Sequence, residues 1–277
     1  MLIDGKTIAG EIRSTVSAAI SRRSVPPHLA IVVVGDNPVI ESFVRIKKRV
    51  GEELHVRVSE CRLSSAVSMQ DIASTISLLA EDASVDGIVI QLPLPEGLVA
   101  EDVLNLVPVQ KDVDMLSAQA MANFRMGVSV ILPPVAGAVQ EILERAKVDV
   151  VGKEVLILGY GRLVGKPVSI LLRHNHAHVT VIDKPVADLG IHVRESDVVI
   201  SGVGHPSLIK PEMLKAGAVL IDAGTSEQGG KIVGDADPEC ALAASVFTPV
   251  PGGVGPIAIA MLFKNLAILA GSADEKR

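Results

Sequence analysis

The chain has 277 residues, room for two ordinary domains or one large one. Hydrophobic residues make up 48% and charged residues 21%, which excludes a disordered chain. The net charge of −6 argues against a nucleic-acid or anionic-membrane partner. Aromatics are only 2% and Trp is absent, so the core must be built from Val, Ile, Leu and Ala, which suits parallel strands covered by helices.

The N-terminal "MLIDGKTIAGEIR" is interrupted by charge at once, which predicts no secretory leader. Ile8, Ile12, Val16 and Ala19 recur at helical spacing and predict an amphipathic helix over Lys6 to Arg22. "SVPPH" breaks it. "LAIVVVG" (Leu29 to Gly35) reads as a strand, and "DNP" starts a second helix running to about Glu53, with Asp36 or Asn37 as cap and Pro38 in its first turn. His55 to Cys61 alternates as a strand, Met69 to Ala80 is helical, and "DGIVIQLPLP" (Asp86 to Pro95) is a strand that stops at its prolines. This alternation predicts a parallel α/β sheet.

Pro108 to Pro134 reads as irregular and carries "KDVD", and Ala136 to Ala146 is helical. A second α/β unit follows, with strands at Val155–Leu158, Val179–Ile182, Val198–Ile200 and Val219–Ile221. A helix begins near Val164, a weaker one lies near Pro185 to Arg194, and a last helix spans Ile257 to about Ala270. The apolar C-terminal segment is interrupted by Lys264 and Asn265 and is read as too short to cross a bilayer. Cys61 and Cys240 match no metal-ligand spacing and read as reduced and structural, as in the cytosol. "HNHAH" (His174 to His178) fits no zinc pattern and reads as the exposed end of a helix and start of a strand.

The strongest local signal is "VLILGYGRLVGKP" (Val155 to Pro167). An apolar strand meets Gly159, Gly161 and Gly165 before a helix, an arrangement that lets backbone N–H groups approach a pyrophosphate. The third glycine stands one place later than in G-x-G-x-x-G, and an ordinary strand–turn–helix corner has the same look. Phe43 and Lys47 share a helix face. Residue type alone favours a solvated "KKR" patch, since lysines are mostly exposed. A Lys47 turned into a cleft would instead have its pKa lowered and could polarise an attacking or leaving oxygen. Gln91 can tie down the proline loop, reach a cleft, or both. Asp112 and Asp114 are surface charges unless one is buried and accepts paired N–H bonds.

"VVVGDNP" with Lys47 downstream, "DGIVIQLPLP", "KDVD", "GYGRLVGKP", "GDADPE" and "TPVPGGVGP" stand in one order, and the whole chain resembles the bifunctional methylenetetrahydrofolate dehydrogenase/cyclohydrolase (FolD) family. The resemblance implies an α/β fold of two α/β domains around a cleft. The second is a Rossmann-like parallel sheet, and the C-terminal helix packs back on the first. Residues 1–118 plus 252–277 are expected to form the catalytic, folate-binding domain and 119–251 the NAD(P)-binding domain. Two reactions are implied: NADP-dependent oxidation of 5,10-methylenetetrahydrofolate, then hydrolysis of the methenyl product to 10-formyltetrahydrofolate, serving one-carbon metabolism and purine biosynthesis.

By the same resemblance Lys47 manages the attacking water, Gln91 holds and tunes it, and Asp114 grips the pterin. Phe43, Pro251, Gly252 and Gly253 line the substrate. Gly159, Gly161, Arg162, Val164, Gly165, Asp183, Lys184 and Thr225 serve the cofactor. No metal is implied; a cytoplasmic homodimer without nucleic-acid or membrane partner is. Departures from the family pattern are Phe43 for a usual Tyr, Ile40 for Ser, Met115 for Gly, Gly161 for Ser, and "LPPVAG" at Leu132 to Gly137. Asp183 and Lys184 replace a basic "HSR"-like end, which keeps NAD open beside NADP. Other readings are a dehydrogenase without cyclohydrolase activity, motivated by Phe43, a nucleotide-binding sensor with a decayed site, and a dehydrogenase of the shikimate or amino-acid type.

Overall fold

The computed structural model describes residues 1–274. Its contacts divide the chain into two compact units. One, here the lysine unit, holds Glu11–Pro134 and the chain from Ile259 onward. The other, the glycine unit, holds Met1–Gly10 and Val135–Ala258. These seams differ from the 118 and 252 expected from sequence. The N-terminal residues join the glycine unit because Ile3 N–H donates to the Phe247 carbonyl and Gly5 N–H to that of Gly252.

In chain order the elements are α1 (Gly5–Ile20), β1 (His28–Val34), α2 (Pro38–Glu53), β2 (Arg57–Leu63), α3 (Met69–Glu81), β3 (Gly87–Ile90), α4 (Ala100–Leu104), α5 (Ala118–Arg125), α6 (Pro134–Arg145), β4 (Glu154–Leu158), α7 (Gly165–His174), β5 (His178–Ile182), α8 (Leu189–Glu195), β6 (Val198–Ser201), β7 (Val219–Asp222), β8 (Ser226–Gln228), β9 (Lys231–Val233), α9 (Cys240–Ala243), β10 (Val246–Phe247) and α10 (Val254–Asp274).

The lysine unit is built on a parallel sheet in the order β2-β1-β3. Every residue of β1 and β3 is buried, as expected for strands covered on both faces. Ala30, Val32, Val34, Ile88 and Ile90 pack with Ile72 and Ile76 of α3 into one core. Ser68 caps α3 by accepting the Asp71 N–H, which fixes where that helix starts. The glycine unit carries a five-stranded parallel sheet in the order β10-β7-β6-β4-β5 and the antiparallel hairpin β8-β9.

Some expectations are corrected. The strand placed at His55 to Cys61 is β2, two residues later, because His55 takes a left-handed φ of +55° and Val56 N–H still closes the end of α2 on the Gly51 carbonyl. The stretch read as irregular contains α5, whose first turn is capped by the Ser117 hydroxyl on the Ala120 N–H. It also follows α4, and the glycine unit adds β8-β9, α9 and β10, all short. The C-terminal segment is not too short for a bilayer: α10 runs 21 residues, and by length and composition Val254–Ser272 could cross one. Here half of that stretch is buried within the protein, with Ile257, Phe263, Leu266 and Ala270 fully enclosed, so it serves as a core helix.

Candidate active site

Helix α2 sets the first side chain of the site. Its Ile40, Val44 and Val50 point inward, and the same turn of the helix carries Lys47 into the protein while Lys48 stays on the surface in an ion pair with Glu60. Lys47 is 9% exposed. Its Nζ donates to Gln91 Oε1 at 2.8 Å and lies 6.0 Å from the centre of the Phe43 ring, one helical turn back. Phe43 itself is partly open to solvent.

Gln91 is aimed by the sheet. Its N–H donates to the Val32 carbonyl, continuing the β1–β3 ladder one residue past β3, and its Nε2 donates to the Leu92 carbonyl. The next peptide bond, Leu92–Pro93, is cis. The carboxamide therefore has one end on the proline loop and the other on the lysine, and both roles expected for it coexist.

Asp112 and Asp114 separate into different functions. Asp112 is 3% exposed and accepts the N–H groups of Leu116 and Ser117 at 3.2 and 2.9 Å, closing the turn that leads into α5. Met115 inside that turn has a φ of +55°, a left-handed conformation that a residue with a side chain seldom takes. Asp114, among the described residues, accepts no protein hydrogen bond. The segment is pinned by a residue that sequence reading noticed only as an interruption of an apolar run. Asn265 of α10, 1% exposed, donates from Nδ2 to the carbonyls of Val113 (2.9 Å) and Leu132 (2.7 Å). A buried Asn in an otherwise apolar helix was the available signal, because such a group must find partners.

Electrostatics follow from burial. Desolvation pushes the Lys47 ammonium below the ordinary lysine value, and the Asp114 charge pulls it part of the way back. Burial raises Asp114 to about 6; Lys47 lowers it and Asp112 adds to the rise. The two groups attract without a direct ion pair. Both shifts run toward the neutral form, which suits groups that handle protons in a site.

In the glycine unit β4 leads into the turn and then α7. Gly159 has a φ of +84°, and a Cβ on Gly165 would lie 1.9 Å from the Gly159 carbonyl oxygen, so both must be glycine. A Cβ on Gly161 would meet nothing within 4 Å; that glycine leaves open space. Among the described residues the N–H groups of Arg162, Leu163 and Val164 donate to no protein acceptor. Unpaired N–H groups ahead of a helix are suited to a pyrophosphate. Asp183, at the end of β5, accepts the Tyr160 N–H on Oδ1 at 2.6 Å, so it holds the turn from below. Arg162, Lys184 and Thr225 stand exposed on loops after β4, β5 and β7.

Pro251, Gly252 and Gly253 belong to the glycine unit, not to the unit that carries Lys47. The Val250–Pro251 bond is cis and Gly252 has a φ of +108°. A Cβ on Gly253 would lie 2.6 Å from the Pro249 carbonyl oxygen, and one on Gly5 would lie 1.9 Å from that of Gly253. Gly5 thus lets the start of α1 sit against this stretch. The structure brings Phe43, Lys47, Gln91 and Asp114 together in one unit and the glycine turn, Asp183 and the Pro251 segment into the other.

Comparison with known proteins also gives two parts, whose bounds differ from those of the compact units at residues 3–10 and 259–273. Residues 3–114 match the family model for the catalytic domain of tetrahydrofolate dehydrogenase/cyclohydrolase, and residues 133–273 match that for its NAD(P)-binding domain. The chain is 39% identical to the bifunctional protein FolD of Moorella thermoacetica, over 95% of this chain and 96% of that one. The structure of FolD methylenetetrahydrofolate dehydrogenase/cyclohydrolase from Campylobacter jejuni superposes with a TM-score of 0.94 at 31% identity, covering 98% of this chain and 99% of that one. The Trypanosoma brucei enzyme, complexed with NADP cofactor and inhibitor, gives 0.93 at 30% identity, covering 99% and 98%.

Proposed function

Because the chain belongs to the tetrahydrofolate dehydrogenase/cyclohydrolase family, we propose that it oxidises 5,10-methylenetetrahydrofolate with NADP and hydrolyses the 5,10-methenyl product to 10-formyltetrahydrofolate. The observation that carries the reading is the buried Lys47 amine, which donates to Gln91 and feels the charge of Asp114.

The glycine unit suits a dinucleotide: open space at Gly161 and unpaired N–H groups at Arg162 to Val164 fit a pyrophosphate. When bound, NADP supplies the hydride acceptor. Asp183 already uses one oxygen on the turn, while Arg162 and Lys184 are exposed cations in the loops; this favours NADP over NAD. Asp114, with both oxygens open to a ligand, accepts paired N–H groups from the pterin. Gln91 keeps the Lys47 amine in one rotamer. In hydrolysis, water adds to the methenyl carbon, the bond from that carbon to N5 breaks, and one proton is released. Lys47 with a depressed pKa takes that proton, and as the ammonium it steadies the oxygen's developing charge. Phe43 offers a face to the substrate but no hydroxyl.

The catalytic role thus lies with the lysine unit and the cofactor with the glycine unit, in a cytoplasmic homodimer that serves one-carbon metabolism and acts on tetrahydrofolate derivatives, without a nucleic-acid or membrane partner. The test is to assay the purified protein for NADP reduction by methylenetetrahydrofolate and, separately and without nucleotide, for methenyl hydrolysis. Both rates above the spontaneous ones are expected, with NADP preferred to NAD. Hydrolysis no faster than the blank would refute the second activity, and equal turnover of NAD would refute the cofactor choice.

A further inference from the structure

Two carboxylates of the glycine unit take no part in these reactions. Asp222 ends β7 and Asp235 follows the β8-β9 hairpin; they are 1% and 0% exposed. Asp235 Oδ2 accepts from the Ser201 hydroxyl (2.6 Å) and the Val203 N–H (2.8 Å), and its Oδ1 accepts the His205 N–H (2.7 Å). Asp222 Oδ1 accepts the Gly224 N–H (2.9 Å) and its Oδ2 the Ala236 N–H (2.8 Å). The backbone of Asp222 is in turn clasped by Thr248, whose hydroxyl accepts the Asp222 N–H (2.7 Å) and donates to the Asp222 carbonyl (3.2 Å). No slack surrounds the pair. A Cβ on Gly224 would lie 2.2 Å from Asp235 Cγ, and one on Gly234 would lie 2.1 Å from Asp222 Oδ2.

The loop held by Asp235 also packs on the glycine turn. A Cβ on Gly202 would lie 2.5 Å from Val164 Cγ1, and one on Gly159 would lie 2.9 Å from the Gly202 carbonyl oxygen. Both acids therefore act at the carboxyl ends of the parallel strands, where such sheets bind their ligands. Burying two acids side by side is disfavoured: burial holds Asp222 up at about 6, and Asp235 adds repulsion. The ionisable groups that face Asp222 are Asp235 and Cys240. An uncharged filler would avoid that penalty, but an amide has one acceptor oxygen where each carboxylate has two.

We infer that Asp222 and Asp235 form one buried brace that shapes the loops after β6 and β7 for dinucleotide binding, and that this brace governs cofactor affinity while leaving methenyl hydrolysis intact. Both are positioning residues, and the inference rests on the reading that the glycine unit takes NADP.

The test is NADP binding by titration calorimetry, beside methenyl hydrolysis without nucleotide, for the wild type, Asp235→Asn, Asp222→Asn and Ser201→Ala. Asp235→Asn turns one amide NH2 toward a donor and should weaken NADP about tenfold or more; Ser201→Ala, which keeps the carboxylate, should weaken it about threefold. Hydrolysis should stay within about threefold of wild type in all of them. Between pH 7.5 and 5.5 the wild type should lose more affinity than Asp222→Asn, because only the wild type protonates an acceptor of the Gly224 and Ala236 N–H groups. The 2′-phosphate of the ligand titrates equally in both. Should Asp235→Asn fail to fold, Ser201→Ala and the paired pH series decide. A wild type that binds, beside Asp235→Asn and Ser201→Ala that bind equally well, overturns the brace alone. Parallel loss of binding and hydrolysis also overturns it. A wild type that binds no NADP overturns the cofactor reading and the brace with it.

Discussion

Asp114 of the lysine unit and Asp222 of the glycine unit are both held at about 6, and burial is the main cause in each. They differ in what their oxygens touch. Both oxygens of Asp222 accept backbone N–H groups, and so do those of Asp112, two residues before Asp114. Asp114 accepts none among the described residues; the charge that lowers it is that of Lys47. A buried acid saturated by backbone donors fixes a loop. One left open beside a depressed amine is available to a ligand. A perturbed pKa alone does not distinguish them; the hydrogen-bond inventory does.

The comparison can be broken first at Lys47. Lys47→Met should lower methenyl hydrolysis about 100-fold or more while NADP binding, measured by calorimetry, stays close to wild type. Equal loss of both would make Lys47 a structural residue. Next, Asp114→Asn should raise the folate KM about tenfold or more. It should also melt at a higher temperature than wild type at pH 8. The folded value of Asp114 lies above the free value of 3.8, so its ionised form is disfavoured by folding; the stability it contributes is full below 3.8 and lost as pH rises through about 6. The difference in melting temperature should therefore shrink as pH falls through 6. A variant that melts lower at pH 8 would contradict the assignment.

Asn265→Leu would leave the Val113 and Leu132 carbonyls without partners and should cost about 2–4 kcal/mol in urea unfolding, with a raised folate KM because Asp114 sits in the loosened loop. The smallest effect is expected from Phe43→Tyr. The ring already lies 6.0 Å from the lysine nitrogen, so a restored hydroxyl should speed hydrolysis by about threefold or less. A tenfold gain would mean that the missing hydroxyl limits this enzyme.

Much of the architecture was legible because it depends on local pattern. The apolar runs of β1, β3, β4, β6 and β7, the Pro38 start of α2, the Met69 start of α3 and the placing of "HNHAH" at the end of α7 and start of β5 all follow from neighbours in sequence. What escaped was short or set from a distance. Helix α5 is eight residues long, and the turn before it is closed by Asp112 from outside the helix. The start of β2 depends on a left-handed His55. The hairpin β8-β9 turns on Gly229 and Gly230 with strands of three residues each.

By itself the sequence determined the order of most strands and helices, the glycine turn and the candidate residue types, because periodicity and turn chemistry act over a few residues. Only the tertiary structure decided which lysine of "KKR" is buried, which of Asp112 and Asp114 keeps its oxygens open, and that Asn265 anchors their loop. Those outcomes depend on the rotation of α2 against the sheet and on partners such as Gln91 and Val113, 44 and 152 residues from Lys47 and Asn265. Contacts of that range are fixed by the packed core and not by neighbouring residues.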